Sequence, residues 1–205
     1  MATSVIYEPG GRAREYAALA ANLYSGCSHG CLYCYSPKIT FTDRAVFHSR
    51  VSVRAGIMAK FEADCKSLNG SARQVLLSFT TDPYGPIDTT QQVTRRAIEL
   101  LHANGLFVEI LTKGGTRAVR DFDLLGKGDA FATTMTFLDD ARSRQWEPGG
   151  ALPEDRIGAI QIAHSMGIPT WVSLEPVVDP EASLEIIRRT HKFVDLYKIG
   201  TWNHD

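Results

Sequence analysis

Leu19-Ala-Ala-Asn-Leu-Tyr-Ser-Gly-Cys27-Ser-His-Gly-Cys31-Leu-Tyr-Cys34-Tyr35 carries an apolar, strand-like run straight into three cysteines within eight residues. The spacing C-x-x-x-C-x-x-C offers three thiolates and no fourth. A 4Fe–4S cube takes four ligands, so three leave one iron open to an outside molecule, which points to catalysis rather than plain electron transfer. The competing reading is a zinc site completed by His29 or Cys65. Structural zinc sites draw on two separated knuckles, whereas the cysteines here form one cluster. Cys65 shares an apolar helical face with Ile57 and Phe61 and reads as a buried core thiol.

Outward from this loop, apolar and β-branched runs recur at Leu19–Tyr24, Gln74–Phe79, Phe107–Leu111, Ala130–Thr136, Thr170–Leu174 and Val194–Ile199. Helical patterns separate them. Val53, Ile57, Phe61, Cys65 and Leu68 mark one amphipathic face. Val93, Ala97, Leu100 and Leu101 mark another, stopped by Asn104-Gly105. Thr116 to Leu125 predicts a shorter helix, Leu152-Pro153 opens a fourth, and Asp179-Pro180 caps a fifth. Strand–helix alternation predicts βαβ units on a parallel sheet. Six units make three-quarters of an eight-fold barrel, an α/β fold of the partial (βα)6 TIM type. The 205 residues suit a single domain over 1–205, with 1–18 as a short lead-in.

In parallel barrels, chemistry sits on the loops leaving the carboxyl ends of the strands. The unusual residues fall there. The cysteine loop follows strand one, Thr80-Thr-Asp-Pro-Tyr-Gly-Pro86 follows strand two, and Thr112-Lys-Gly-Gly115 follows strand three. Thr134 and Thr136 end strand four, Glu175-Pro176 ends strand five, and Gly200-Thr-Trp-Asn-His204 ends strand six.

The cysteine motif with Gly26 resembles the cluster loop of the radical S-adenosylmethionine (SAM) superfamily. Several further runs resemble its spore photoproduct lyase-like branch, also described as DNA repair photolyase-like: Thr81-Asp-Pro-Tyr84, Leu111-Thr-Lys113, Arg120-Asp121, Leu124-Leu125, Trp146-Glu-Pro148 and Arg156. The resemblance implies a 4Fe–4S cluster on Cys27, Cys31 and Cys34, with SAM chelating the fourth iron. It also implies one-electron cleavage of SAM, driven by a reduced flavodoxin- or ferredoxin-type donor, to a 5′-deoxyadenosyl radical that takes hydrogen from a substrate. Thr81 matches a SAM-binding hydroxyl residue, Lys113 a lysine that reaches the SAM carboxylate, and Thr134 a serine of the fourth strand. Tyr33 and Tyr35 match tyrosines of a radical relay. A hydrogen-donor cysteine of the lyase is replaced here by Phe79, which has no thiol to give.

The physical chemistry of these residue types fits. Lysine presents a compact ammonium to a carboxylate, threonine hydroxyls donate or accept, and a carboxylate such as Glu175 holds ribose hydroxyls or pairs with Lys198. Asp82 and Thr136 complete the expected cofactor contacts. Asp-Pro at 82–83 also favours a plain turn, and Glu147 with Arg156 equally makes a structural ion pair. Trp202, Asn203 and His204 are expected at the substrate pocket. By branch resemblance the substrate class is nucleic acid or a nucleotide. A small molecule or peptide is the alternative, and a non-catalytic iron–sulfur module is a further one.

Bulk properties set the remaining bounds. The chain is 44% hydrophobic and 22% charged, with net charge −1, so it lacks the global basic footprint of a dedicated nucleic-acid binder. No apolar run is long enough to span a membrane, and no leader pattern opens the chain, so no membrane association and a cytoplasmic location are the expectations. An uncovered barrel edge is a liability, so a dimer or partner chain over the open side is expected.

Overall fold

The computed structural model describes residues 4–77 and 79–202. Asn203 and His204 lie outside the described residues. Strands β1 (Leu19–Ala21), β2 (Gln74–Leu77), β3 (Phe107–Thr112), β4 (Ala130–Thr134), β5 (Thr170–Val177) and β6 (Leu196–Thr201) form one sheet whose spatial order is the chain order. Every pairing is parallel: Leu19 stands beside Val75, Val75 beside Val108, Ile110 beside Phe131, Phe131 beside Thr170, and Val172 beside Tyr197. Four of the crossovers carry helices α1 (Ile57–Ser67), α2 (Val93–Ala103), α3 (Pro153–Ser165) and α4 (Pro180–Thr190). The sheet is thus the expected partial (βα)6 barrel.

Alternation along the strands sorts side chains into two layers. Leu19, Ala21, Val75, Leu77, Val108, Ile110, Phe131, Val172 and Leu174 join Phe61, Ile98, Leu101 and Ile160 of the helices in the main core. Each such buried side chain contributes about 1.5–3 kcal/mol. The intervening residues Ala20, Leu76, Ala130, Ala132 and Trp171 form a second, inner cluster with Leu111 and Tyr16 at its edge. Three alanines line that inner face, which leaves room inside the barrel.

Several boundaries differ from the sequence reading. Val53 is not in the first helix; it pairs with Tyr24 in a two-residue antiparallel ribbon, Tyr24–Ser25 with Ser52–Val53. Gly56, in the left-handed region at φ 65°, then starts α1. The first crossover also holds two short helices, Ser36–Ile39 and Arg44–Ser49. The third connection is a 3-10 helix, Gly115–Leu124. Strand β4 stops at Thr134, so Thr136 falls beyond it. Leu152-Pro153 and Asp179-Pro180 open their helices as read, and the Asp179 carboxylate accepts from the amides of Glu181 and Ala182.

Residues 4–18 run across the gap between β1 and β6. Oδ2 of Asp64, on α1, accepts from the amides of Val5 (2.6 Å) and Ile6 (2.9 Å) and from Ser4 Oγ (2.9 Å). Tyr7 then exchanges two 2.9 Å backbone bonds with Ala20 on the free edge of β1. The segment ends with Tyr16, whose ring packs 5.7 Å from Trp171 of β5 and whose carbonyl accepts from Lys198 of β6 (2.8 Å). The chain itself therefore covers part of the opening that suggested a partner.

Candidate functional site

The carboxyl ends of the six strands surround a cavity of about 540 Å³, within the range of small-molecule sites. Cys27, Cys31 and Cys34 line it together with Tyr33, Tyr35, Thr81, Asp82, Lys113, Thr134 and Glu175. Of the residues singled out from sequence for the site, Thr136 is the one set apart: it is buried, off the cavity lining, because β4 ends two residues earlier. Trp202 lines the mouth, stacked edge-on against Trp146 at 5.4 Å.

The cysteine loop is held from three sides. Gly26 sits at φ 76°, and a Cβ there would meet the carbonyl of Arg50 at 2.3 Å, so only glycine fits. Arg44, from the helix that follows, donates to the carbonyls of Cys34 (3.1 Å), Leu32 (2.8 Å) and Cys31. His48 Nδ1 meets the carbonyl of Cys27 at 2.8 Å. From the other side, the amide of Leu32 donates to Trp146 and that of Gly149 to His29, tying the loop to residues 146–151.

Those residues contain the buried pair of Glu147 and Arg156, 2.6 Å apart and each 1% exposed. Arg156 also donates to the carbonyls of Ala151 (2.7 Å) and Thr134 (2.8 Å). Tyr33 donates its phenol hydrogen to Glu147. Burial, then the Glu147 carboxylate, push the Tyr33 hydroxyl well above its ordinary range, so it stays protonated. Glu147 is held below the usual carboxylate range, because Arg156 and Lys113 outweigh its burial. Tyr35 donates to the carbonyl of Phe79 (2.9 Å), also at the cavity.

Asp82 organises the opposite wall. Burial alone would raise its carboxyl, but His29, the Thr112 hydroxyl (2.6 Å) and the amides of Lys113 and Tyr84 (2.8 Å each) hold it below the usual value. His29 Nδ1 lies 3.3 Å from Asp82, and its Nε2 faces Arg117 at 3.4 Å. Burial, with Lys113 and Arg117 nearby, pushes His29 down to about 4. The neutral tautomer that donates through Nδ1 and accepts at Nε2 satisfies both neighbours. Burial would lower Lys113, but Cys31 and Glu147 bring its ammonium above the usual range. It is a fixed cation beside the thiols.

Glu175 is reached from both ends of the chain. Tyr16, unmarked by any sequence motif, donates its hydroxyl to Glu175. Gly200 of β6 stands against the same carboxylate: a Cβ there would lie 1.6 Å from Oε1. Lys198, the alternative partner for Glu175, pairs instead with Glu109 at 3.5 Å. Asn22 also escaped the sequence reading; its Oδ1 accepts from the amides of Phe79 (3.1 Å) and Thr80 (2.8 Å), turning the chain off β2 toward the cavity.

All three loop cysteines are free thiols. Burial pushes Cys27 up to about 12 and Cys31 up to about 11, so metal loading must displace protons. Among the described residues no three His, Cys, Asp or Glu side chains are gathered to hold a single metal ion. A cube takes each thiolate on a different iron and asks for wider spacing than one ion does. Three thiols around one cavity, next to a fixed cation and several hydroxyls, fit that demand.

The family model described as the radical SAM superfamily matches residues 21–194. The uncharacterized protein Rv2578c of Mycobacterium tuberculosis (strain ATCC 25618 / H37Rv) is 27% identical over 166 residues, 77% of this chain and 48% of the relative. The chain thus spans about half the length of the curated relatives it matches. Among solved structures, a spore photoproduct lyase mutant with bound AdoMet and dinucleoside spore photoproduct matches with a TM-score of 0.73 at 17% identity, over 93% of this chain and 58% of that one. Streptococcus suis SuiB bound to S-adenosylmethionine matches with a TM-score of 0.67 at 11% identity, over 91% of this chain and 40% of that one. At these identities the structural likeness establishes the shared fold. No helix among the described residues is long and apolar enough to cross a membrane.

Proposed function

The chain belongs to the radical SAM superfamily, and from that premise we propose that it is an enzyme that binds a 4Fe–4S cluster through Cys27, Cys31 and Cys34 and uses SAM to abstract hydrogen from a substrate. The observation that carries this reading is the convergence of three free thiols, Lys113, Thr81, Thr134 and Glu175 on one cavity at the strand ends. When bound, the cluster and SAM together supply one-electron cleavage of the sulfonium and a carbon-centred radical.

The chain's own residues bind and orient. Lys113 offers a fixed positive charge for the SAM carboxylate. Thr81 and Thr134 offer hydroxyls, and Glu175, held by Tyr16, offers a carboxylate for the ribose hydroxyls. Asp82 acts through its neighbours, fixing the backbone of Lys113 and the ring of His29. Tyr35 faces the cavity as a hydrogen-atom relay, whereas Tyr33 is engaged by Glu147 and serves to lock the loop. A nucleic acid or nucleotide is the substrate class, supported by the fold shared with the lyase and by the sequence runs of that branch. The Phe79 position supplies no thiol, so the substrate radical must be quenched by another donor.

Anaerobic reconstitution followed by reduction tests the reading. An absorption band at roughly 400 nm and release of 5′-deoxyadenosine are expected from the unaltered chain, with both lost in a Cys31→Ala variant. Deuterium appearing in 5′-deoxyadenosine from one labelled nucleotide, oligonucleotide or peptide identifies the substrate.

A further inference from the structure

The outer side of the cysteine loop bears a surface that the cavity does not use. Leu32, Ile39, Phe41 and Val46 are exposed there, Phe41 at 97% of its surface. Phe41 also holds a positive φ of 51°, a strained conformation for an aromatic residue. A large apolar side chain kept in water by a strained backbone marks a surface shaped for contact. The four side chains belong to one compact unit, the loop and the two short helices behind it. Within that unit Arg44 binds the carbonyls of Cys31, Leu32 and Cys34, and Thr42 donates to the carbonyl of Pro37.

The same unit is basic. Residues 36–54 contain Lys38, Arg44, Arg50 and Arg54 against Asp43 alone, four positive charges to one negative, in a chain whose net charge is −1. Lys38 and Arg50 stand exposed at its rim. None of the four apolar residues lines the cavity, although Cys27, Cys31, Cys34 and Tyr35 of the same stretch do. A substrate must touch the cavity, because a hydrogen atom moves only between groups in contact. An electron needs only a short path to the cysteines, and this face supplies one from outside.

We propose that this apolar, basic face is the docking site for an acidic protein that carries one electron. The proposal rests on the cluster reading above. The carrier is oxidised by one electron and the iron–sulfur site reduced by one, with no bond made or broken. Charge steers an acidic partner to Lys38 and Arg50, and the exposed side chains around Phe41 supply the small contact typical of redox encounters.

The test uses the reconstituted full chain with two probes, an FMN-loaded acidic flavodoxin and an acidic 2Fe–2S ferredoxin, each in reduced form. Either carrier should bleach the roughly 400 nm band, and F41S and K38E should each slow that bleaching about tenfold. Calorimetry should show a matching loss of affinity for the oxidised carrier, and raised salt should weaken binding to the unaltered chain. Bleaching by dithionite should be the same in all variants, which separates a lost docking face from a lost cluster. Unchanged carrier-driven rates in the variants, or no bleaching by either carrier, overturn the proposal. So does protection of Phe41 by a DNA or RNA oligonucleotide, or by self-association of the chain, in place of a carrier. Absence of the band from the unaltered chain overturns the cluster reading and the docking face with it.

Discussion

Arg156 shows how much of this site is built from charge placed out of water. Its guanidinium is 1% exposed and touches Glu147, the carbonyl of Ala151 and the carbonyl of Thr134. Through Glu147 it fixes Tyr33, and through residues 146–151 it fixes the backbone of the cysteine loop. Removing one member of a buried pair strands the other. Arg156→Met should therefore cost about 3 kcal/mol in denaturant unfolding, while a double R156M/E147M variant should recover most of that. Both halves of the pair were visible in sequence as Trp146-Glu-Pro148 and Arg156, but their bond was not. Nothing in a one-dimensional pattern distinguishes a carboxylate facing a cofactor from one facing an arginine.

At the scale of elements, the strands were legible because β-branched runs alternate with helical periodicity, and their polar ends follow from the parallel topology. Boundaries failed where a local conformation overrode periodicity. Val53 continued the helical spacing of Ile57 and Phe61, yet the left-handed Gly56 separates it from α1 and leaves it in a ribbon. The segment 4–18 was illegible, because its anchors are long-range: Asp64 for Val5 and Ile6, Ala20 for Tyr7, Glu175 for Tyr16. Asp64→Ala removes three hydrogen bonds from one end of that segment. Amide exchange at Val5 and Ile6 should speed up by about tenfold or more, at roughly 1 kcal/mol per bond lost. Exchange in the middle of α1 should stay as it was. Equal acceleration in both would show that the segment and α1 open as one unit.

For the whole molecule, the depressed pKa of His29 links stability to pH. In the unfolded chain the imidazole takes a proton near 6.5, whereas in the folded chain it does so only near 4. Between those values the unfolded state binds more protons, so stability falls as pH drops from about 6.5 toward 4 and levels off below. The loss in the metal-free chain should approach 3 kcal/mol at most, less whatever the ionised Asp82 returns to the charged imidazole. A His29→Gln variant, measured by urea unfolding across that range, should show a flatter profile. An unchanged slope would assign the acid sensitivity to other groups.

The carboxylate of Glu175 has a consequence for how damage to the chain is felt. Tyr16 grips it from one side, and Gly200 yields space to it from the other. Residues far apart in sequence thus act as the two jaws of one vise, and a defect in either releases the same group. Tyr16→Phe and Gly200→Ala should weaken SAM binding by a similar factor, about tenfold. Made together they should do little more than either alone, so equilibrium dialysis of the double variant would read one lesion where the sequence shows two.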